Sequence, residues 1–206
     1  MEAIMSLGLG YLIGSINPAA LFSRWKHVDL KTNGTGNLGA TNTMLLLGKG
    51  CGLIVMLLDV AKAILSAHLA QKLFPMLKYA GMLGSLGAMI GHDFSLFLHF
   101  KGGKGVAAFG GLLLAYSPAV FLSLFGFGIL QVAIFDYGFA GPISAGILFP
   151  VVVALRSGDF AEVAIAAVAG LVLVHMHMDN VKKAKNHQET PVRSYLVEKL
   201  ANLRKQ

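Results

Sequence analysis

Six apolar stretches, near residues 3–23, 51–71, 76–98, 106–135, 138–155 and 160–178, fill most of this 206-residue chain. Crossing about 30 Å of hydrocarbon takes roughly 20 apolar residues as a helix. A bilayer offers no water to an open strand, whereas a helix satisfies its own N–H and C=O groups. The expectation is therefore an all-α integral membrane protein. Composition agrees: 55% of the residues are hydrophobic and only 13% are charged, where a soluble domain carries about a quarter. Met1-Glu2 lacks the basic flank of a cleavable leader, so the first stretch reads as a retained span. The fourth stretch runs from 106 to 135 without a charge, about 45 Å as one helix. Pro118, after Ser117, divides it in two.

Charge placement sets the orientation. The chain carries a net charge of +7, and thirteen of its seventeen Lys and Arg residues lie in three segments. Arg24, Lys26, Lys31 and Lys49 occupy the segment 24–50; Lys101 and Lys104 lie near 99–105; seven more follow residue 180. In a soluble chain such a balance suggests nucleic acid. Here the positive-inside rule accounts for it, and no nucleic-acid partner is expected. All three segments share the cytoplasmic side only if the fourth stretch is two spans. The reading is about seven transmembrane helices with short loops, N-terminus outside and C-terminus cytoplasmic, forming one multi-pass domain over 1–206. The tail carries an apolar stripe suited to an interfacial helix over Ser194–Arg204. The single cysteine, Cys51, excludes an internal disulfide or a cysteine zinc cluster.

Two glycine-rich segments carry the chemistry. Lys101-Gly102-Gly103-Lys104-Gly105 lies between apolar stretches. Its glycines let a ligand approach backbone N–H groups closely, and its lysines add point charges, a combination suited to a phosphate or carboxylate. Asn33-Gly34-Thr35-Gly36-Asn37-Leu38-Gly39-Ala40-Thr41-Asn42 offers further amides and hydroxyls. His177 and Asn180, three apart, share a helix face; His175 and His177 do not. Asp59 and Lys62 likewise share a face within the second stretch, and His92-Asp93 lie within the third. Histidines spread over distant helix ends do not make a zinc site, and no metal is expected. Neither a G-x-S-x-G elbow nor a G-x-x-x-x-G-K-[ST] loop occurs, which argues against a serine nucleophile of that type and against nucleotide hydrolysis. What fits is direct transfer between two anionic molecules, catalysed by positioning and electrostatics.

The ordered motifs resemble those of the bacterial acyl-phosphate:glycerol-3-phosphate acyltransferases. They are Tyr11-Leu12-Ile13-Gly14-Ser15; Thr35-Gly36-Asn37-Leu38-Gly39-Ala40-Thr41-Asn42; Gly91-His92 with Phe94, Phe97 and Phe100-Lys101-Gly102-Gly103-Lys104-Gly105-Val106-Ala107; and His177-Met178-Asp179-Asn180-Val181. The resemblance covers nearly the whole chain. It implies transfer of a fatty acyl group from acyl phosphate to the 1-hydroxyl of glycerol 3-phosphate in phospholipid synthesis, with lysophosphatidic acid and phosphate as products. It further implies no cofactor and residence in the bacterial inner membrane, with the site on the cytoplasmic face. Lys104, His177, Asn180 and Thr35 are then the catalytic candidates. Gly36, Asn37, Gly39, Thr41, Asn42, Lys101, Gly102, Gly103 and His92 are the substrate-binding ones.

This sequence departs from the family pattern at several places. The family's arginine three positions after the motif asparagine is Leu45 here, its motif proline is Ser95, and the arginine before the late histidine is Met176. Its Arg-Tyr-x-Ser-Leu-x-Ser is replaced by Asp136-Tyr137-Gly138-Phe139-Ala140-Gly141-Pro142, which lacks both hydroxyls. These losses motivate a competing reading, a divergent relative with another phosphorylated acceptor or little activity. A transporter built around Asp59, Lys62, His92 and Asp93 is the other.

Overall fold

The structure, a computed structural model, describes residues 1–194. The tail beyond Ser194, with most of the expected interfacial helix, lies outside the described residues. Among the described residues nine α-helices follow in order: α1 (Glu2–Ser15), α2 (Pro18–Trp25), α3 (Ala40–Leu47), α4 (Lys49–Leu73), α5 (Ala80–Asp93), α6 (Val106–Tyr116), α7 (Pro118–Phe135), α8 (Ala140–Arg156) and α9 (Phe160–Lys185). No strand occurs among the described residues. Among the described residues, four helical stretches are long and apolar enough to cross a membrane: Glu2–Trp25, Lys49–Leu73, Pro118–Phe135 and Phe160–Lys185. α6 and α8 are shorter apolar helices.

The expected division of the fourth stretch is present. Ser117 is extended (φ −167°, ψ 121°) and Pro118 opens α7 as its first residue, a position where the missing N–H costs nothing. Two boundaries differ from the apolar pattern. The first stretch bends at Ile16-Asn17, because Pro18 restarts the helix and Asn17 Oδ1 caps it by accepting from the Ala20 N–H (2.9 Å). The third stretch is α-helical only over Ala80–Asp93; beyond it, a single 3-10 turn at Leu96–Leu98 leads into the glycine-lysine segment.

α5 sits at the centre, against α1, α4, α6 and α9. Its crossing with α1 is a backbone-to-backbone contact. A Cβ added to Gly10 would strike the Gly84 carbonyl, and one added to Gly87 or Gly91 would strike the Leu7 or Tyr11 carbonyl. Small residues give membrane helices this close approach. Ser85 Oγ also donates to the Ala63 carbonyl of α4 (2.9 Å). The apolar core gathers Met89, Leu112, Phe149 and Leu173 from α5, α6, α8 and α9, with Phe109 edge-on to Phe149 at 5.6 Å. α7 buries little beyond Val120, Leu124 and Gly128. It turns Leu122, Phe125, Ile129 and Ile134 outward, as a lipid-facing helix does.

Polar ties mark the two ends of the bundle. At one end Lys78 Nζ pairs with Asp159 Oδ2 (3.0 Å) and Glu162 Oε1 (3.1 Å). At the other, the Val192 and Arg193 N–H groups donate to Asp136, both at 2.9 Å, and the Arg193 guanidinium donates to the Ala133 carbonyl (2.7 Å). The second end carries both glycine-rich segments.

Candidate active site

The segment between α2 and α3 folds around two asparagines. Asn42, at 0% exposure, accepts from the Thr35 N–H (2.8 Å) and donates to the carbonyls of Leu30 (2.8 Å) and Asn33 (3.1 Å). Asn17 Nδ2 donates to the Leu38 carbonyl (3.2 Å). Gly34 and Gly36 take positive φ (63° and 70°), where a side chain would be strained. These contacts present Thr35, Gly36 and Asn37 as a fixed lip.

The glycine-lysine segment is laid over the end of α5. Gly102 N–H donates to the Asp93 carbonyl (2.9 Å) and Gly103 N–H to the His92 carbonyl (3.0 Å). A Cβ on Gly103 would collide with His92 Nε2, and one on Gly105 would sit 2.8 Å from both carboxylate oxygens of Asp93. His99 and Phe100 both adopt positive φ (56° and 60°), a strained conformation for non-glycine residues. The Phe100 N–H bond to the Ser95 carbonyl (2.8 Å) helps hold them. The first motif buttresses this turn from α1. Tyr11 Oη donates to the Phe94 carbonyl (2.9 Å), Ser95 Oγ donates to the Ser15 carbonyl (2.6 Å), and Ser15 Oγ accepts from the Leu96 N–H (3.3 Å).

α9 supplies the third wall. Lys104 Nζ donates to Asn180 Oδ1, and Asn180 Nδ2 donates to Glu189 Oε1 (2.8 Å). One turn earlier His177, buried at 5% exposure, has Nδ1 2.8 Å from the Leu173 carbonyl. A carbonyl can only accept, so Nδ1 carries the proton and Nε2 is left with a lone pair.

The three walls border an open cavity of about 370 Å³ lined by Thr35, Gly36, Asn37, Lys104, Asp179, Lys182, Lys183, Asn186 and Gln188. Its side chains include three ammonium groups and one carboxylate, Asp179, which already pairs with Lys182 (3.3 Å), and none is apolar. Burial lowers the Lys104 ammonium below the ordinary lysine pKa, offset in part by Glu189. The arrangement suits a small polyanion.

The same fold occurs in a protein of known structure. The sequence pattern of one family, described as glycerol-3-phosphate acyltransferase, matches residues 4–187. The chain belongs to the glycerol-3-phosphate acyltransferase family. It is 38% identical over 184 residues to glycerol-3-phosphate acyltransferase 1 of Deinococcus radiodurans, covering 89% of this chain and 92% of that one. It is 35% identical to the glycerol-3-phosphate acyltransferase of Parasynechococcus marenigrum, covering 89% and 86%. The crystal structure of PlsY (YgiH), an integral membrane glycerol 3-phosphate acyltransferase, in its glycerol 3-phosphate form superposes with a TM-score of 0.82 at 31% identity, over 93% of this chain and 96% of that one. The lysophosphatidic acid form of the same enzyme gives 0.81 at 30% identity, over 96% and 100%.

In this acyltransferase the sequence candidates separate into two groups. Thr35, Gly36, Asn37 and Lys104 line the cavity, and Asn180 and His177 stand behind Lys104. Gly39, Thr41, Asn42, Lys101, Gly102, Gly103 and His92 are not among the lining residues. Asn42 spends its amide on loop backbone, Gly39 precedes α3, Thr41 and Lys101 point to the exterior, and His92 lies beneath Gly103. Lys182, Lys183, Asn186 and Gln188 were not singled out by motif. Lys182 and Lys183 lie in the last turn of α9, with Asn186 and Gln188 just beyond it, and the basic run reads in sequence only as a sign of membrane orientation. Leu45 is 43% exposed on α3 and outside the cavity wall. Ser95 uses its hydroxyl to tie the turn to α1, a job a proline could not do.

Proposed function

We propose that this enzyme transfers a fatty acyl group from acyl phosphate to the 1-hydroxyl of glycerol 3-phosphate, releasing inorganic phosphate and leaving lysophosphatidic acid. The carrying observation is the polar cavity in which Lys104, held by Asn180, meets the Thr35–Asn37 lip and the Lys182-Lys183 pair. Glycerol 3-phosphate is a small polyanion that matches the cavity's charge. Lys104 and the flanking lysines neutralise phosphate, and the lip donates to its oxygens. The hydroxyl oxygen attacks the acyl carbonyl carbon, the bond from that carbon to the phosphate oxygen breaks, and phosphate leaves with the electron pair. His177 Nε2 takes the hydroxyl proton. Fixed cations at the leaving oxygens lower the barrier because they need no reorganisation as charge shifts. No step requires a cofactor or a metal.

The acyl chain has no apolar wall in the cavity, so it lies along the bundle flank in contact with membrane lipid. In the membrane arrangement proposed here, α1, α4, α5, α6, α7, α8 and α9 each run from one end of the bundle to the other, giving seven spans in one domain over 1–206. The N-terminus lies outside and the cavity faces the cytoplasm, across the inner membrane. α6 is only about 17 Å long, so its flanking turns lie within the interfacial layer. The test is phosphate release by purified protein from palmitoyl phosphate, with and without glycerol 3-phosphate. Acceptor-dependent release abolished in Lys104→Ala supports the reading; release without the acceptor, or none from folded protein, overturns it.

A further inference from the structure

We propose that Lys62, buried in α4 and distant in sequence from every motif, is the positioning residue of the glycine-lysine turn. Its ammonium lies 2.8 Å from Asp59 Oδ1, donates to the carbonyls of Gly14 (2.9 Å) and Ile16 (3.0 Å), and reaches His92 Nδ1 at 2.9 Å. Nδ1 of His92 also lies 3.1 Å from Asp59 Oδ1, so the ring joins the Lys62–Asp59 pair in one cluster while its Nε2 faces Gly103. Asp59 alone would compensate a charge in a membrane helix. The other three contacts do something different: they clamp the end of α1 to the end of α5.

Those two ends bracket the turn. The carbonyls of His92 and Asp93 receive the N–H groups of Gly103 and Gly102, at 3.0 and 2.9 Å. The His92 ring fills the space under Gly103 so completely that no Cβ would fit. Ser15, one residue after Gly14, holds Ser95 and Leu96. The contact chain thus runs from Lys62 to His92, to Gly102-Gly103, and to Lys104 as the next residue. Asp93 completes the group. It is 1% exposed, and neither carboxylate oxygen has a hydrogen-bond partner among the described residues. The assignment rests on Lys104 acting on substrate, as proposed above.

The test uses the full chain in lipid. Lys62→Met alone strands Asp59 and risks misfolding, so the informative variant is Asp59→Asn/Lys62→Met, which removes both charges. The expected result is a folded protein whose kcat falls about 100-fold, the size of a misplacement near 1 Å. KM for glycerol 3-phosphate should change far less. Amide exchange at Gly102 and Gly103 should quicken about tenfold while peptides from α8 and α9 keep their protection. Unchanged kcat overturns the proposal, as does lost kcat with Gly102 and Gly103 still protected. Uniform loss of protection across all helices also overturns it, because Lys62 would then be a packing residue only. Lys104→Ala, measured in parallel, isolates the other failure: if it keeps wild-type kcat, the role given to Lys104 falls while the exchange result still decides the clamp.

Discussion

Lys104 is the residue on which most of the chemistry converges, and its environment makes a pH prediction. Burial lowers its pKa, so the ammonium is lost as pH rises through a value below that of an ordinary lysine. In the role proposed for Lys104 that charge receives phosphate, so kcat/KM should decline on the alkaline side, and it should do so earlier than an exposed lysine would dictate. Lys104→Arg keeps its charge at any workable pH; whatever activity it retains should lack the alkaline limb, as a pH series of initial rates would reveal. The same limb persisting in the arginine variant would assign it to another group. Lys183→Ala should raise KM for glycerol 3-phosphate about tenfold, because a charged hydrogen bond is worth about 1.5–3 kcal/mol. Leu45→Arg should recover part of that loss if an arginine there reaches the cavity from α3. A titration of acceptor against both variants decides it. Part of this scale is legible in sequence: Lys104 and the 35–37 lip stand in glycine-rich motifs and line the cavity, whereas Lys101, Gly102 and Gly103 of the same motif do not reach it. Asn42 did not. Its motif position suggested substrate, but a fully buried amide with three loop-backbone partners is already satisfied.

Helices in this bundle are fixed as much by what is missing from their faces as by what is present. α1 meets α5 where Gly10 lies on Gly84, so Gly10→Ala must push two backbones apart and should cost about 1–3 kcal/mol. Gly8, on the same helix, has nothing within 4 Å of a built Cβ; Gly8→Ala should leave the melting temperature level or raise it, since alanine favours the helix. Comparing the two in detergent melts separates contact from propensity. The apolar pattern located every major helix because hydropathy is a one-dimensional property. It missed the bend at Ile16-Asn17, where a proline inside an apolar run looked like part of the span. It also could not foresee that α1, α4 and α5 would bring Lys62, Asp59 and His92 within 3.1 Å. Asp59 and Lys62 were a legible pair at helical spacing; the third member arrives by a crossing that no local pattern encodes.

For the molecule as a whole, the two sets of end ties predict a topology that labelling can check. In a Cys51→Ser background, a membrane-impermeant thiol reagent applied to intact cells should modify Ser157→Cys, beside the Lys78–Asp159 tie. It should reach Asn186→Cys, at the cavity mouth, only after the cells are opened. Labelling of Asn186→Cys from outside would reverse the orientation argued from the basic segments. The cavity wall holds a further consequence. No apolar side chain lines it, whereas α7 turns apolar side chains outward; in the proposed reaction the two reactants then arrive in different phases. The acceptor counts as moles per litre of water, and the donor counts as moles per area of bilayer. Diluting a suspension of loaded vesicles at fixed acceptor concentration should leave the turnover of each enzyme unchanged. Adding inert lipid to the same vesicles should slow it, because the enzyme samples its donor in two dimensions.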